Sequence, residues 1–444
     1  MVWENLNENA MPLLEGVILM NDYTLLVSRS SKLDYARDHL NELFGKKYPR
    51  NFRREHVSYR RDTPEELAVI NYTSGTTSYS KGVMIPYRAL WSNTQFAFDV
   101  LKMNPGDKLV SMLPMAHMYG LAFEFLYEFC VGCHIYFLTR TPSPKIIFQA
   151  FSEVKPNLVV AVPLIIEKII KKNVLPKLET PAMKILLKVP IINDKIKATV
   201  REQMINAFGG NFYEIIVGGA AFNQEIEQFL KSIDFPYTVG YGMTECAPII
   251  CYEDWKYFKL GSCGKAAPRM EVKILSPDPE NIVGEIVCKG PNVMLGYLND
   301  PEETKKVLEK DKDNVVWLHT GDMGKMDEDG FIYFDGRLKR IIISSGYNLY
   351  PNHIESVIIK HPMVEEVCVI GVDHPYKSQV AKAFVVLKSG AREDTVRREI
   401  KKLCLEYLAK YSQPYQIEFR SSLPRTNLGK IDYKQLEREE KEKK

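Results

Sequence analysis

Short apolar runs alternate with segments of helical periodicity over the first half of the chain. Residues 67–70, 109–113, 134–138, 158–162 and 214–217 are strand-like, and 67–70 (Leu-Ala-Val-Ile) reads as a buried strand. Between them, 144–153 and 224–231 carry apolar residues at helical spacing. The alternation predicts an α/β architecture with stacked, largely parallel sheets. From Gly261 the texture changes to short strands (272–275, 284–288, 330–334) between Gly, Pro and Asp turns. That pattern predicts a small antiparallel, barrel-like subdomain over about 261–336. Beyond Gly336-Arg-Leu-Lys-Arg340 come a strand (340–344), a Gly-Tyr-Asn turn and a helix (351–361). Two strands (366–372, 381–387) and a helix (395–411) follow. The predicted division is a large domain over 1–336 and a small α+β domain over 337–444.

Composition narrows the class. The 444 residues are 45% apolar and 26% charged, ordinary for a globular protein of more than one domain. A net charge of +3 gives no nucleic-acid signal. No signal peptide is visible, so a cytoplasmic setting is expected. The most membrane-like window, 120–138, carries Glu124, Glu128 and His134. A carboxylate at mid-bilayer costs about 3 kcal/mol, so a buried helix turning into a strand at Gly132 is the simpler expectation. Cys130 and Cys133 precede His134 at haem-attachment spacing, but their apolar context predicts buried structural thiols. Residues 164–201 hold nine Lys or Arg against three acidic residues, interleaved with apolar pairs. Either a solvated helical face or a peripheral contact with the anionic inner face of a membrane fits them, and the first is favoured.

The most telling stretch runs from Tyr72 to Tyr87. Thr73, Ser74, Thr76 and Thr77 surround Gly75, and Ser78, Ser80, Lys81 and Gly82 follow. Small residues let backbone N–H groups approach an anion, hydroxyls donate further bonds, and a lysine adds charge. The Lys81-Gly82 order is not that of a Walker A loop. On this stretch alone a polyphosphate cradle and a polar turn both stay open. Four downstream motifs are similarly open singly. Gly218-Gly-Ala-Ala221 ends a strand with small residues, as a flat ring requires. Tyr241-Gly-Met-Thr-Glu245 offers an aromatic face, a hydroxyl and a carboxylate that could hold Mg²⁺. Asp322 follows a Thr-Gly turn and could chelate ribose hydroxyls. Lys430 sits on a glycine-containing loop.

Taken in order, with Pro114-Met-Ala-His117, Gly284-Glu, Gly296-Tyr297 and Gly336-Arg337-Leu-Lys339, these segments resemble the adenylate-forming superfamily. That superfamily comprises acyl-CoA synthetases, peptide-synthetase adenylation domains and luciferases. The resemblance covers about residues 72–434. Tyr241 to Pro248 and Leu113 to Gly120 look most like long-chain fatty acyl-CoA ligases of the AMP-forming kind. Two departures stand out: Ser78-Tyr79-Ser80 where relatives usually show Gly-x-Pro, and only 71 residues before Tyr72. The resemblance implies that the first part of the N-terminal domain is absent, and exposed apolar surface there would favour a homodimer.

What the resemblance implies is specific. A fatty acid is activated by ATP to acyl-AMP, pyrophosphate leaves, and coenzyme A takes the acyl group. Lys430 bridges the acyl carboxylate and the phosphate. Thr73, Ser74, Gly75, Thr76, Thr77, Ser78 and Lys81 hold the outer phosphates, and Thr76 and Glu245 approach Mg²⁺. Thr244 contacts the α-phosphate. Gly219, Ala220, Ala221, Tyr241 and Gly242 enclose adenine, Asp322 and Arg337 bind ribose, and His117 lines the carboxylate entrance. Gly346 and Tyr347 face the thiol tunnel once the C-terminal domain has rotated about Lys339. Two alternatives remain: a ligase loading a carrier protein, and a shortened chain that binds nucleotide or a partner without catalysis.

Overall fold

The computed structural model describes residues 7–58, 61–73, 81–140, 142–174, 176, 180, 190–220, 222–345, 347–425 and 431–443. The chain divides into two compact units, Met1–Asp62 and Thr63–Lys444. In the first, strands β1 (Gly16–Ile18) and β2 (Leu25–Ser28) pair antiparallel. Helices α1 (Ser31–Asp38) and α2 (Leu40–Lys47) follow, and Phe44, Tyr48 and Phe52 meet at tilted and edge-on angles in a small aromatic cluster.

The second unit opens with β3 (Leu67–Thr73) and β4 (Lys81–Pro86), an antiparallel pair in which Thr73 faces Lys81. The expected strand is therefore present, but it is not buried: Leu67 and Ile70 are exposed, and Asn71 is its one buried residue. Helix α3 (Tyr87–Val100) leads to β5 (Lys108–Ser111). Next, Met118–Leu121, Ala122–Leu126 and Tyr127–Val131 run on as one helix, α4, with π-type turns in its middle. It ends at Gly132, whose φ of +88° is left-handed and suits glycine, and β6 (His134–Phe137) starts two residues later. Glu124 and Glu128 are both buried in α4. Glu124 accepts hydrogen bonds from Ser111 Oγ and the N–H groups of Met112 and Leu113, tying the helix to the end of β5. Cys133 is partly buried, but Cys130 is exposed, against expectation, because it falls on the outer face of the last turn of α4.

The α/β core follows as α5 (Pro144–Val154), β7 (Leu158–Ala161), α6 (Pro163–Asn173), α7 (Pro190–Ala207), β8 (Glu214–Val217), α8 (Gln224–Ser232) and β9 (Tyr237–Val239). β7, β8 and β9 form a parallel sheet and β5 pairs parallel with β6. β8 is buried on both faces, as a near-continuous apolar run requires. Ile215 and Val217 point into one core cluster and Ile216 into another. Phe208, fully buried at the end of α7, touches the rings of Phe148, Phe151, Phe212 and Phe235. The basic stretch is only partly described, and no described helix is long and apolar enough to cross a membrane.

Past β10 (Tyr241–Gly242), β11 (Ile249–Tyr252) and β12 (Lys265–Ala266), the predicted change of texture is realised. β13 (Glu271–Leu275), β14 (Gly284–Lys289), β16 (Leu308–Lys310), β17 (Val316–Met326) and β18 (Ile332–Arg337) form one antiparallel sheet. The short β15 (Gly296–Tyr297) pairs instead with β4, and α9 (Pro301–Val307) follows it. The last part holds β19 (Ile342–Ser344), β20 (Tyr347–Leu349), α10 (Pro351–Ile358), β21 (Val364–His374), β22 (Ser378–Leu387), α11 (Glu393–Tyr407), β23 (Gln416–Arg420) and α12 (Tyr433–Glu442). Its buried apolar residues, from Ile342 to Leu436, form two clusters of their own.

Replacing Phe208 by alanine removes the ring on which four others rest. The expected cost is about 3–5 kcal/mol, seen as a lower urea midpoint with native-like far-UV circular dichroism before the transition.

Candidate active site

The ends of β3, β8 and β10, the turn after β10 and the β17–β18 hairpin converge on one cavity of about 870 Å³. The turn is built rigidly. Gly242 passes so close to Pro248 that a Cβ would lie 2.2 Å from its carbonyl oxygen, so only glycine fits. Buried Asn93 of α3 donates to the Cys246 carbonyl and accepts from Ile249 N–H. The result is a fixed presentation of Thr244 and Glu245, both nearly buried and both on the cavity wall.

Asp322 lies at one end, 4% exposed. Its Oδ2 accepts the Tyr241 hydroxyl at 2.9 Å, and Arg337 Nε stands 3.1 Å from Oδ1. Burial raises the pKa of its carboxyl above the usual range, while the Arg337 charge and the Tyr241 hydrogen bond act to lower it. The Tyr241 phenol is pushed far up by burial, so it stays a donor. At the other end the Tyr297 hydroxyl donates to Glu245 Oε1 at 2.9 Å, and burial raises the Glu245 carboxyl above its usual range. Lys81 sits 4.6 Å over the Tyr297 ring and 2.5 Å from Glu303 Oε1. That hydrogen bond, with a second from Lys306, holds the Glu303 carboxyl down at about 2. Lys81 thus stands on the cavity wall, directly after residues 74–80 in the sequence.

Of the residues singled out in the sequence, Thr73, Lys81, His117, Gly219, Tyr241, Gly242, Thr244, Glu245, Asp322 and Arg337 line this cavity. His117 precedes the first turn of α4. Ala220 is exposed and is not on the wall: the chain turns outward after Gly219, whose φ is +83°. Ser74, Gly75, Thr76, Thr77, Ser78, Ala221, Gly346 and Lys430 lie outside the described residues, as does the side chain of Tyr347. Sequence reasoning missed the part played by Tyr297 and Glu303. The Gly296-Tyr297 pair was a legible signal, but its partner Glu245 is 52 positions away.

His319 was missed as well. Its Nδ1 is 2.9 Å from Glu285 Oε2, and its Nε2 is 2.9 Å from Glu309 Oε2. Glu285 Oε1 also accepts the N–H of Gly321, and Asp322 N–H donates to Thr320 Oγ1. The imidazole therefore braces the turn that carries Asp322. Burial alone would lower its basicity, but the bonds to Glu285 and Glu309 win and raise it.

Two family models match the chain: that of the AMP-binding enzymes over residues 22–298, and that of their C-terminal domain over 353–430. The chain belongs to the AMP-binding enzyme family. Within this family it is 33% identical over 392 residues to a long-chain-fatty-acid–CoA ligase of Bacillus subtilis, covering 86% of this chain and 63% of that one. It is 32% identical over 379 residues to a 2-succinylbenzoate–CoA ligase of Geobacillus kaustophilus, covering 84% and 69%. The chain thus spans under two thirds of the length of the long-chain ligases it matches. Among solved structures, ATP-bound MatB from Rhodopseudomonas palustris superposes with a TM-score of 0.73 at 27% identity, covering 88% of this chain and 71% of that one. The apo form of that protein gives 0.62 over the same coverage.

The bracing by His319 carries a pH signature. A raised folded value means that its contribution is full below the unfolded value of about 6.5 and fades as pH rises through the folded value. The His319→Gln variant of this AMP-binding enzyme is expected to lose that part of the slope. Urea midpoints from about pH 5.5 to 8.5 check it; parallel curves for the two proteins would refute the bracing.

Proposed function

We propose that the protein is an AMP-forming acid–thiol ligase. It activates a fatty acid with ATP, releases pyrophosphate, and passes the acyl group to coenzyme A. The observation that carries this reading is one cavity joining three chemistries. A buried Tyr241–Asp322–Arg337 cluster suits a ribose, Thr244, Glu245 and Lys81 suit phosphates, and an apolar arm beyond His117 suits an acyl tail. The long-chain ligases among the relatives support the fatty-acid reading.

In the first step a carboxylate oxygen attacks the α-phosphorus in line. The new C–O–P linkage forms as the bond to pyrophosphate breaks. Charge gathers on phosphoryl oxygens, so fixed donors and cations do most of the work. Thr244 donates to the α-phosphate, Lys81 to the outer phosphates, and His117 to the incoming carboxylate. Lys81 exchanges its Glu303 partner for phosphate oxygens. Glu245 with the hydroxyls of Thr73 and Thr244, all on the cavity wall, offers hard oxygen donors that would fit Mg²⁺. Among the described residues no group of three or more His, Cys, Asp or Glu side chains is arranged to hold a metal ion by itself. Such an ion would supply neutralisation of phosphate charge when bound.

In the second step the thiol replaces AMP at the acyl carbon. Residues 340–444 then pivot as a body about Leu338 and Lys339. Arg337 is tied to Asp322 on one side, while Arg340 is buried against Glu355 at 2.6 Å and the Val369 carbonyl at 3.1 Å on the other. That leaves two residues between fixed points. The better fit to ATP-bound than to apo MatB supports a nucleotide-binding arrangement in the present state.

Lys430→Ala is expected to abolish ATP–pyrophosphate exchange by about 10²-fold or more yet spare thioester formation from supplied acyl-AMP. Equal loss in both half-reactions would overturn the division of labour. Supplying coenzyme A or a carrier protein to the preformed adenylate identifies the acceptor. Asp322→Asn should raise the KM for ATP with little change in that for the acid, measured by the same exchange assay.

A further inference from the structure

The apolar arm runs along β8 and stops at a wall. Side chains alternate on a strand, so Glu214, Ile216 and Gly218 share one face. Ile216 and Gly218 line the cavity, whereas Glu214 is buried behind it. What separates Glu214 from the cavity is Tyr252, whose hydroxyl donates to Glu214 Oε2 at 2.8 Å. Trp255 N–H occupies the other carboxyl oxygen at 3.1 Å. The ring of Tyr252 meets Phe96 edge-on at 5.4 Å, and Phe96 meets Phe123 at 5.9 Å.

Helix α4 marks the same limits. Tyr119 stands at the mouth, with its hydroxyl on the Ile216 carbonyl and its ring where a Cβ on Gly218 would meet it at 3.1 Å. Phe123, one turn on, lines the arm. Tyr127, a turn further, is fully buried, bonds the Leu101 carbonyl at 3.2 Å and is not on the wall of the cavity.

Both elements give a length. Gly218 back to Glu214 is four residues of strand, about 13 Å. Tyr119 to Tyr127 is eight residues of helix, about 12 Å. An extended alkyl chain advances about 1.25 Å per carbon, given C–C bonds of about 1.5 Å. The geometry points to a straight-chain acid of about eight to twelve carbons as the substrate class, with Tyr252 as the residue that sets the limit. This rests on the acid-activating reading above and narrows it. The end wall is the neutral Tyr252 ring, with Glu214 behind it, where burial pushes the carboxyl up to about 8. Among the described residues the Lys and Arg side chains on the cavity wall are Lys81, Lys306 and Arg337, beside Glu303 and Asp322 at its polar end, and Lys102 is paired with Asp254 at 3.0 Å. A methyl terminus fits the Tyr252 wall, and a second carboxylate does not.

The test is a series of straight-chain acids from about six to about eighteen carbons, read by acid-induced rise in Tm and by ATP–pyrophosphate exchange. Affinity should climb about fourfold per methylene up to the wall and fall beyond about twelve carbons. Tyr252→Ala should move the optimum to longer acids, and Tyr252→Phe, which keeps the ring, should leave it in place. Wild-type protein that takes a sixteen-carbon acid (about 20 Å extended) as well as a ten-carbon one overturns the limit. An unmoved optimum in folded Tyr252→Ala overturns the wall, and no Tm response at any length sinks the arm. A Tm profile that peaks near ten carbons (about 12 Å) without exchange for any acid supports the arm and overturns the ligase reading instead.

Discussion

A carboxylate that is buried and still needed as an acceptor governs this structure. Asp322 is almost wholly out of water, and an isolated charge there would be costly. Its neighbours resolve the conflict: the Tyr241 hydroxyl, the Arg337 guanidinium and the Thr320–Asp322 turn braced by Glu285. To supply them, the strand carrying Tyr241 must meet the β17–β18 hairpin, 81 positions further along the chain. The α/β core and the antiparallel sheet are thereby held together at the site. The same residue holds Arg337, the last residue of β18 and the start of the chain that leads to the final α+β part.

β8 does a second piece of organising. Its alternate side chains serve two masters: Ile215 and Val217 fill one core cluster, while Ile216 and Gly218 border the cavity. A strand with both faces covered can carry a pocket on one of them without exposing backbone. Gly218 leaves room for Tyr119, and the inward-facing Glu214 gives Tyr252 its acceptor. The arm is the space that a strand, a helix and two aromatic rings leave between them.

The candidate site was legible where one short segment carries both the chemistry and its punctuation. Thr244 with Glu245, Asp322 after Thr-Gly, and His117 before the α4 helix all reach the cavity. Legibility failed where a partner lies far away in sequence. Nothing within ten residues of Tyr297 announces Glu245, and nothing near Lys81 announces Glu303. Ala220 belonged to the right tetrad, but a left-handed turn at Gly219 takes the chain off the wall. Leu67 to Ile70 had the composition of a core strand and became a half-exposed one, because composition does not say which face is covered. Cys130 is exposed for a related reason: a short helical run does not reveal its phase.

The sequence by itself determined the elements of the α/β core, the switch to antiparallel strands after Gly261, the helix-to-strand turn at Gly132 and the family. These rest on local physics, such as periodicity, glycine conformation and motifs within a few residues, together with the order in which the motifs occur. Only the tertiary structure decided which side chains share a charge, where the arm ends and what holds Arg337 and Arg340. Those depend on distances between segments scores of residues apart, and close packing sets such distances only once all the segments are in place.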